Sequence, residues 1–210
     1  MISVLLLAQL LLPSLAAQQV RSELSRYGAV RSASVSALPG IKLLWGDADS
    51  VHVSTGSLNI GLSEASELLW KARGASRIEM SAESMRLGDI TMRSVRAEKH
   101  ADAIAIEGRT ANLQSGLPSG IEVQPLESVP GGVELRLSGN LLGLRAATDA
   151  VLGVQNGQLV LQPQASPFAA FVRLTFFSNP HVALLDFSLT HPAGSKGSSE
   201  YIIKLRAKLH

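Results

Sequence analysis

An α+β fold, mostly antiparallel strands with a few helices, is what this sequence predicts, on three observations. From Arg77 onward apolar and polar residues alternate in segment after segment, punctuated by Gly, Pro and Asn turn signals. Beyond the N-terminal run, helical spacing is confined to two short stretches, Gln18 to Tyr27 and Ser63 to Arg73. Composition does not shift after Ala17, so 18–210 reads as one domain of about 190 residues, long enough to bury a full core.

The chain has 210 residues, of which 46% are hydrophobic, 17% charged and 4% aromatic. Its apolar mass is therefore aliphatic. It contains no cysteine, which excludes disulfides, thiolate metal sites and a cysteine-linked lipid. A net charge of +2 and a pI near 9.2, with no Lys/Arg-rich block, argue against nucleic acid as a partner.

Met1 to Ala17 reads as a secretory leader or N-terminal anchor. Ile2 to Leu12 form its apolar stretch, Pro13 is expected to break the helix, and Ser14 to Ala17 supply small residues for cleavage. There is no basic residue ahead of the apolar run. Export to the cell envelope or beyond follows, with anchoring by this segment as one mode. Gln18 to Tyr27 then places Val20, Leu24 and Tyr27 on one face of a short amphipathic helix closed by Gly28. Arg31 to Leu38 alternates Ala33, Val35 and Ala37 against three serines, as in a half-buried strand.

Ile41 to Trp45 form an apolar knuckle fenced by Pro39-Gly40 and Gly46-Asp47. Flanked by turn residues, it is expected at an end or rim of the sheet. Beyond it Val51, Val53 and Thr55 share one parity, and Leu58, Ile60 and Leu62 the other, with Gly56 at a bulge. Ser63 to Arg73 is predicted as a helix with Ser63 as N-cap, Gly74 past its end, and Ala65, Leu68, Leu69 and Ala72 buried. Trp70 lies about 140° from Ala65 at 100° per residue, off that stripe.

Ile90 to Glu98 and Ala103 to Arg109 are expected as meander strands joined by a polar turn, Lys99 to Asp102. Turns at 117–120 and 129–132 bracket Ile121 to Ser128, and Val133, Leu135 and Leu137 alternate after it. Asn156-Gly157 predicts a two-residue hairpin that faces Val154 with Leu159 and Leu152 with Leu161. Ala183, Leu185, Phe187 and Leu189 are expected on one strand face. A flexible 191–199 turn leads to Tyr201, Ile203, Leu205, Ala207 and Leu209 on another, with Lys204, Arg206 and Lys208 behind them.

Chemistry is sparse. The five histidines are scattered without metal-ligand spacing, so no metal and no cofactor are expected. Asp47-Ala48-Asp49 reads as a turn rather than a metal clamp. The stretch 116–120 has its serine one position late for a nucleophile elbow, and 194–198 lacks phosphate-loop glycine spacing. With no assembled acid, base or nucleophile, the protein is not expected to be an enzyme. Candidate lipid contacts are Leu43, Leu44 and Trp45 of the knuckle, Trp70, and Phe171, Phe176 and Phe177 of the aromatic cluster that also holds Phe168. Lys204, Arg206 and Lys208 are candidates for a headgroup or membrane surface, the alternative being the wet face of an edge strand.

Ser34 to Ala37 followed by Pro39, Ile41-Lys42-Leu43-Leu44-Trp45-Gly46, Ala48 to Val51, Glu67 to Trp70, and Leu174 to Pro180 resemble the LmeA-like phospholipid-binding family of bacterial cell envelopes. The likeness runs from about Val20 to the end. It implies an elongated, curved antiparallel sheet wrapped by a few helices, akin to tubular lipid-binding domains, and phospholipid cargo with a role in envelope building. It supplies no catalytic residues. The expectation is a non-catalytic cell-envelope protein that binds phospholipid acyl chains in an apolar groove, several headgroups being accepted with a modest preference for anionic ones. A structural or partner-binding envelope module with a dry core is the alternative.

Overall fold

The computed structural model describes residues 2–88, 90–111, 121–141, 144–164, 174–192 and 200–210. The expected turns at 117–120 and 193–199, Phe168 and Phe171 lie outside them. Among the described residues strands dominate, two α-helices accompany them, and the strands form two sheets in which antiparallel pairing prevails. The α+β class is as expected; a single sheet is not.

The larger sheet has seven strands in the order β1 (Gly28–Ser36), β2 (Ala48–Ile60), β3 (Ala75–Leu87), β4 (Ile90–His100), β5 (Ala103–Thr110), β12 (Tyr201–Leu209), β11 (Val182–Thr190). The smaller runs β10 (Leu174–Phe177), β9 (Gln158–Pro163), β8 (Leu144–Gln155), β7 (Gly132–Leu141), β6 (Ile121–Val129). One pair departs from the antiparallel expectation: β2 and β3 are parallel. The helix between them, α2 (Leu62–Lys71), carries the chain back across the sheet, as parallel neighbours require.

The parity change anticipated at Gly56 is shared by three strands. Thr55 and Leu58 in β2, Ala82 and Met85 in β3, and Met92 and Val95 in β4 are all buried, with two residues between the members of each pair. Pairing among the three strands stays in step through this point, and Ser94 takes a positive φ of 51°. Register shifts appear only at the outer boundaries, against β1 and β5. Such irregularities bend strands, and the larger sheet curls around α2. Leu68 packs on the main core, Leu69 on the cluster of Ile104, Val182, Leu184, Ala207 and Leu209, and Lys71 reaches Glu23 of α1 at 3.0 Å.

The second sheet closes over this concave side. Leu58, Met85, Met92 and Val95 share one core with Val133, Leu135, Ala150 and Leu161, sealed by Phe187, Leu189 and Ile203. The Asn156-Gly157 hairpin has the expected register, Val154 opposite Leu159 and Leu152 opposite Leu161, and all four join that core. Positive φ at Asn156 (51°) and Gly157 (77°) gives the turn type whose twist suits a two-residue loop. The Gly157 carbonyl accepts from Leu184 N–H at 2.9 Å, so the turn also covers the edge of β11.

Four local expectations are corrected. Pro13 sits inside α1 (Ile2–Leu24), which runs unbroken through the stretch that reads as a leader and ends at Leu24. Losing one backbone donor weakens a helix without always ending it. The N-cap of α2 is Gly61, whose N–H is taken by Glu64 Oε2 at 2.6 Å, so the helix starts before Ser63. Lys99 belongs to β4 and is buried rather than in a polar turn. In β11 a register shift between Leu184 and Asp186 puts Val182 and Leu184 inside with Phe187 and Leu189, and turns Leu185 to solvent.

Candidate functional site

Strand pairing fixes one rim of the larger sheet. Ser36 faces Ser50, Ala48 faces Ala75, Arg77 faces His100, and Val182 faces Leu209, so these strand ends lie along one border. The knuckle stands on this rim as a 3-10 turn, Gly40–Trp45, closed by Gly46 in a left-handed conformation at φ 81°. Leu38, Leu44 and Trp45 are 75%, 64% and 71% exposed. Leu43 turns inward instead, onto a small cluster of Val35, Ala48 and Ala75. The knuckle thus has one half-buried root, and Leu44 and Trp45 stand in water beside Leu38.

Its footing is polar and tight. Asp49 Oδ2 accepts from Leu38 N–H at 2.6 Å, and Asp49 Oδ1 lies 3.4 Å from Lys42 Nζ. The Leu38 N–H, helped by Lys42, holds the Asp49 carboxyl below its ordinary range. Asp49 is therefore committed to the turn, and among the described residues no group of three His, Asp or Glu side chains is placed to hold a metal. Behind the knuckle a second 3-10 turn, Ala72–Gly74, packs so closely that a Cβ on Gly74 would collide with the Gly46 carbonyl. Lys99, 3% exposed, donates its ammonium to the Ala75 and Arg73 carbonyls, the latter at 3.3 Å. Burial pushes that ammonium below the usual lysine range. This cation, missed in the sequence, pins the second turn to β4; its alternation with Ala97 and Val95 across the β4 parity change was the available signal.

Trp70 is half-buried at the same rim. Its ring stacks on His181 with centroids 4.2 Å apart, and the Arg73 guanidinium covers it at 4.4 Å from the ring centre. Those partners bridge α2 to the start of β11. Leu43, Leu44, Trp45 and Trp70 are therefore brought to one end of the molecule. Phe177, on the short edge strand β10, packs on the cluster of Val182 and Leu209 that borders the same rim, and its neighbour Phe176 is partly exposed.

Lys204 and Arg206 point from the outer, wet face of β12, away from the curl. This strand is internal, between β5 and β11, and not an edge. Lys204 Nζ lies 3.3 Å from Glu107 and Arg206 Nη2 2.9 Å from Asp186, so both carry their own counter-ions. Lys208 is exposed near the rim. On the same outer face Ser32, Ser34, His52, Ser54, Glu79 and Arg96 help line a depression of about 260 Å³, in which His52 Nε2 meets Glu79 at 3.2 Å. Compared with known protein families, curated proteins and solved structures, the chain finds no match in any of the three.

Proposed function

We propose that this is a non-catalytic lipid-handling protein of the cell envelope that takes phospholipid by its acyl chains at the apolar rim. One observation carries the reading: Leu38, just before the turn, and Leu44 and Trp45 on it stand largely in water, while Leu43 roots the turn by packing, half-buried, on Val35, Ala48 and Ala75. Contiguous exposed apolar side chains on a braced element mark an interaction surface rather than a packing defect. The resemblance in the knuckle and in Leu174 to Pro180 supports phospholipid as the ligand class. Contact with about ten methylenes gains on the order of 8 kcal/mol at about 0.8 kcal/mol each. Association costs of at least about 4 kcal/mol leave reversible affinity. Because Lys204 and Arg206 are paired with carboxylates, headgroup selectivity is expected to be weak.

Trp45→Asp tests this. The side chain is 71% exposed, so the melting temperature should stay within a few degrees while binding to phospholipid vesicles falls about tenfold or more. Mass spectrometry of an organic extract of the purified protein should also release phospholipid. A second reading, a partner-binding envelope module with a dry core, is favoured by the closed packing of the two sheets around Val133 and Ala150. It predicts a lipid-free extract and vesicle binding indifferent to Trp45.

A further inference from the structure

Helix α1 is attached to the domain through its C-terminal half, where Glu23 also meets Lys71 of α2 at 3.0 Å. Ala16, Ala17 and Val20 pack on Val35, Ala48 and Ala75 beside Leu43, and Arg21, the first charged residue of the chain, donates to the Arg31 carbonyl at 3.2 Å. Since Leu24 leads through a tight turn into β1, which runs toward the knuckle, the helix points its N-terminal half out past the rim. Residues 2–15 extend roughly 21 Å at 1.5 Å per residue. Their sequence, ISVLLLAQLLLPSL, is apolar around the whole circumference and carries no charge. The described part bears this out: Leu11 and Leu15 are 55% and 59% exposed. A helix apolar all round requires cover on every side, and this one leaves the domain at the end where Leu38, Leu44 and Trp45 stand in water.

We propose that residues 2–15 are retained and inserted into one leaflet of a lipid bilayer, as an anchor rigidly continuous with the domain that holds the Leu38–Trp45 tip against the same surface. The proposal rests on the lipid reading of the tip. Its length fits a tilted insertion: roughly 21 Å at a tilt of about 45° spans about 15 Å, the depth of one leaflet of a hydrocarbon core near 30 Å. Among the described residues no helix is long and apolar enough to cross a membrane. The packing of Ala16 and Ala17 gives the second argument. Cleavage after either of them would cut the helix at its contact with the rim and strip cover from Val35, Ala48 and Ala75. With no flexible linker between anchor and sheet, the anchor would set the orientation of the domain as well as its location.

The experiment compares the full chain with two variants in flotation with vesicles of phosphatidylethanolamine and phosphatidylglycerol. One variant lacks residues 2–17; the other, Leu11→Lys with Leu15→Lys, changes only exposed positions and so keeps the fold. The full chain should float, both variants should lose at least a hundredfold in partitioning, and Trp45→Asp should lose about tenfold, less because the anchor remains. In a Trp70→Phe background, lipids brominated near the headgroup should quench Trp45. Intact mass of the protein recovered from its native membranes should include residues 2–17. A mass beginning at Gln18, undiminished flotation of both variants, or a helix-mediated dimer that ignores vesicles would overturn the anchor. Flotation of the full chain without quenching of Trp45 would instead sink the lipid reading of the tip and the orientation proposed for it, leaving only the insertion of residues 2–15.

Discussion

Lys99 is the least expected side chain in the molecule, a buried lysine whose hydrogen bonds go to backbone carbonyls. Its ammonium is satisfied by two backbone carbonyls at the turn behind the knuckle, so Lys99→Met leaves those acceptors unpaired in a place water does not reach. A destabilisation of about 1–3 kcal/mol is expected, read as a lower denaturation midpoint. The pH dependence has a definite sign. Burial lowers the folded-state pKa below the usual lysine range, so at neutral pH both states are protonated and the folded state carries the desolvation cost in full. As pH rises toward 10.5 the unfolded chain holds the proton more tightly, and wild-type stability should climb relative to Lys99→Met. Equilibrium unfolding across that alkaline window checks it; parallel curves would show that Lys99 is not the titrating group.

At the scale of elements, the tip depends on the fit of two turns. Gly74→Ala places a methyl group against the Gly46 carbonyl, backbone against backbone, so one turn must shift. A loss of about 1–3 kcal/mol is expected, together with weaker vesicle binding although no lipid-facing residue has changed; thermal melts and flotation measure both, and intact binding would mean that the tip does not need its brace. This fit also shows what the sequence could reveal. The Asn156-Gly157 hairpin, the knuckle on the rim and the parity change at Gly56 were legible because each depends on neighbours within a few residues. The parallel pairing of β2 with β3 was not, since alternation is the same in parallel and antiparallel strands. Nor was the neutralisation of Lys204 by Glu107, residues far apart in sequence that meet only because β12 lands beside β5. The β11 shift at Leu185 escaped because Ala183 and Leu185 continue an apolar alternation that the backbone interrupts.

For the whole molecule, the carboxylates whose donors hold them below their ordinary range are unevenly placed. Glu23, bonded to Lys71 and near Arg26, and Asp49, bonded to Leu38 N–H, sit at the α1 and knuckle end; Asp149, bonded to Arg136, braces the smaller sheet. All three are held below their ordinary range, so their contribution is present above the unfolded carboxylate pKa, near 4, and fades as pH falls through the lower folded values. Acid should therefore loosen the rim around Trp45 before the two-sheet core. Trp45 fluorescence, followed in Trp70→Phe, is expected to change at higher pH than the far-ultraviolet circular dichroism; a single coincident transition would count against this order. The shared parity change in β2, β3 and β4 has a different consequence, for inheritance. Losing one residue at Gly56 alone would turn the rest of β2 inside out against partners that still carry their extra residue. Length changes at this level are tolerated only in concert, near Gly56, Ser84 and Ser94 together, so the three strands should vary in length as one unit while the loops around them drift freely.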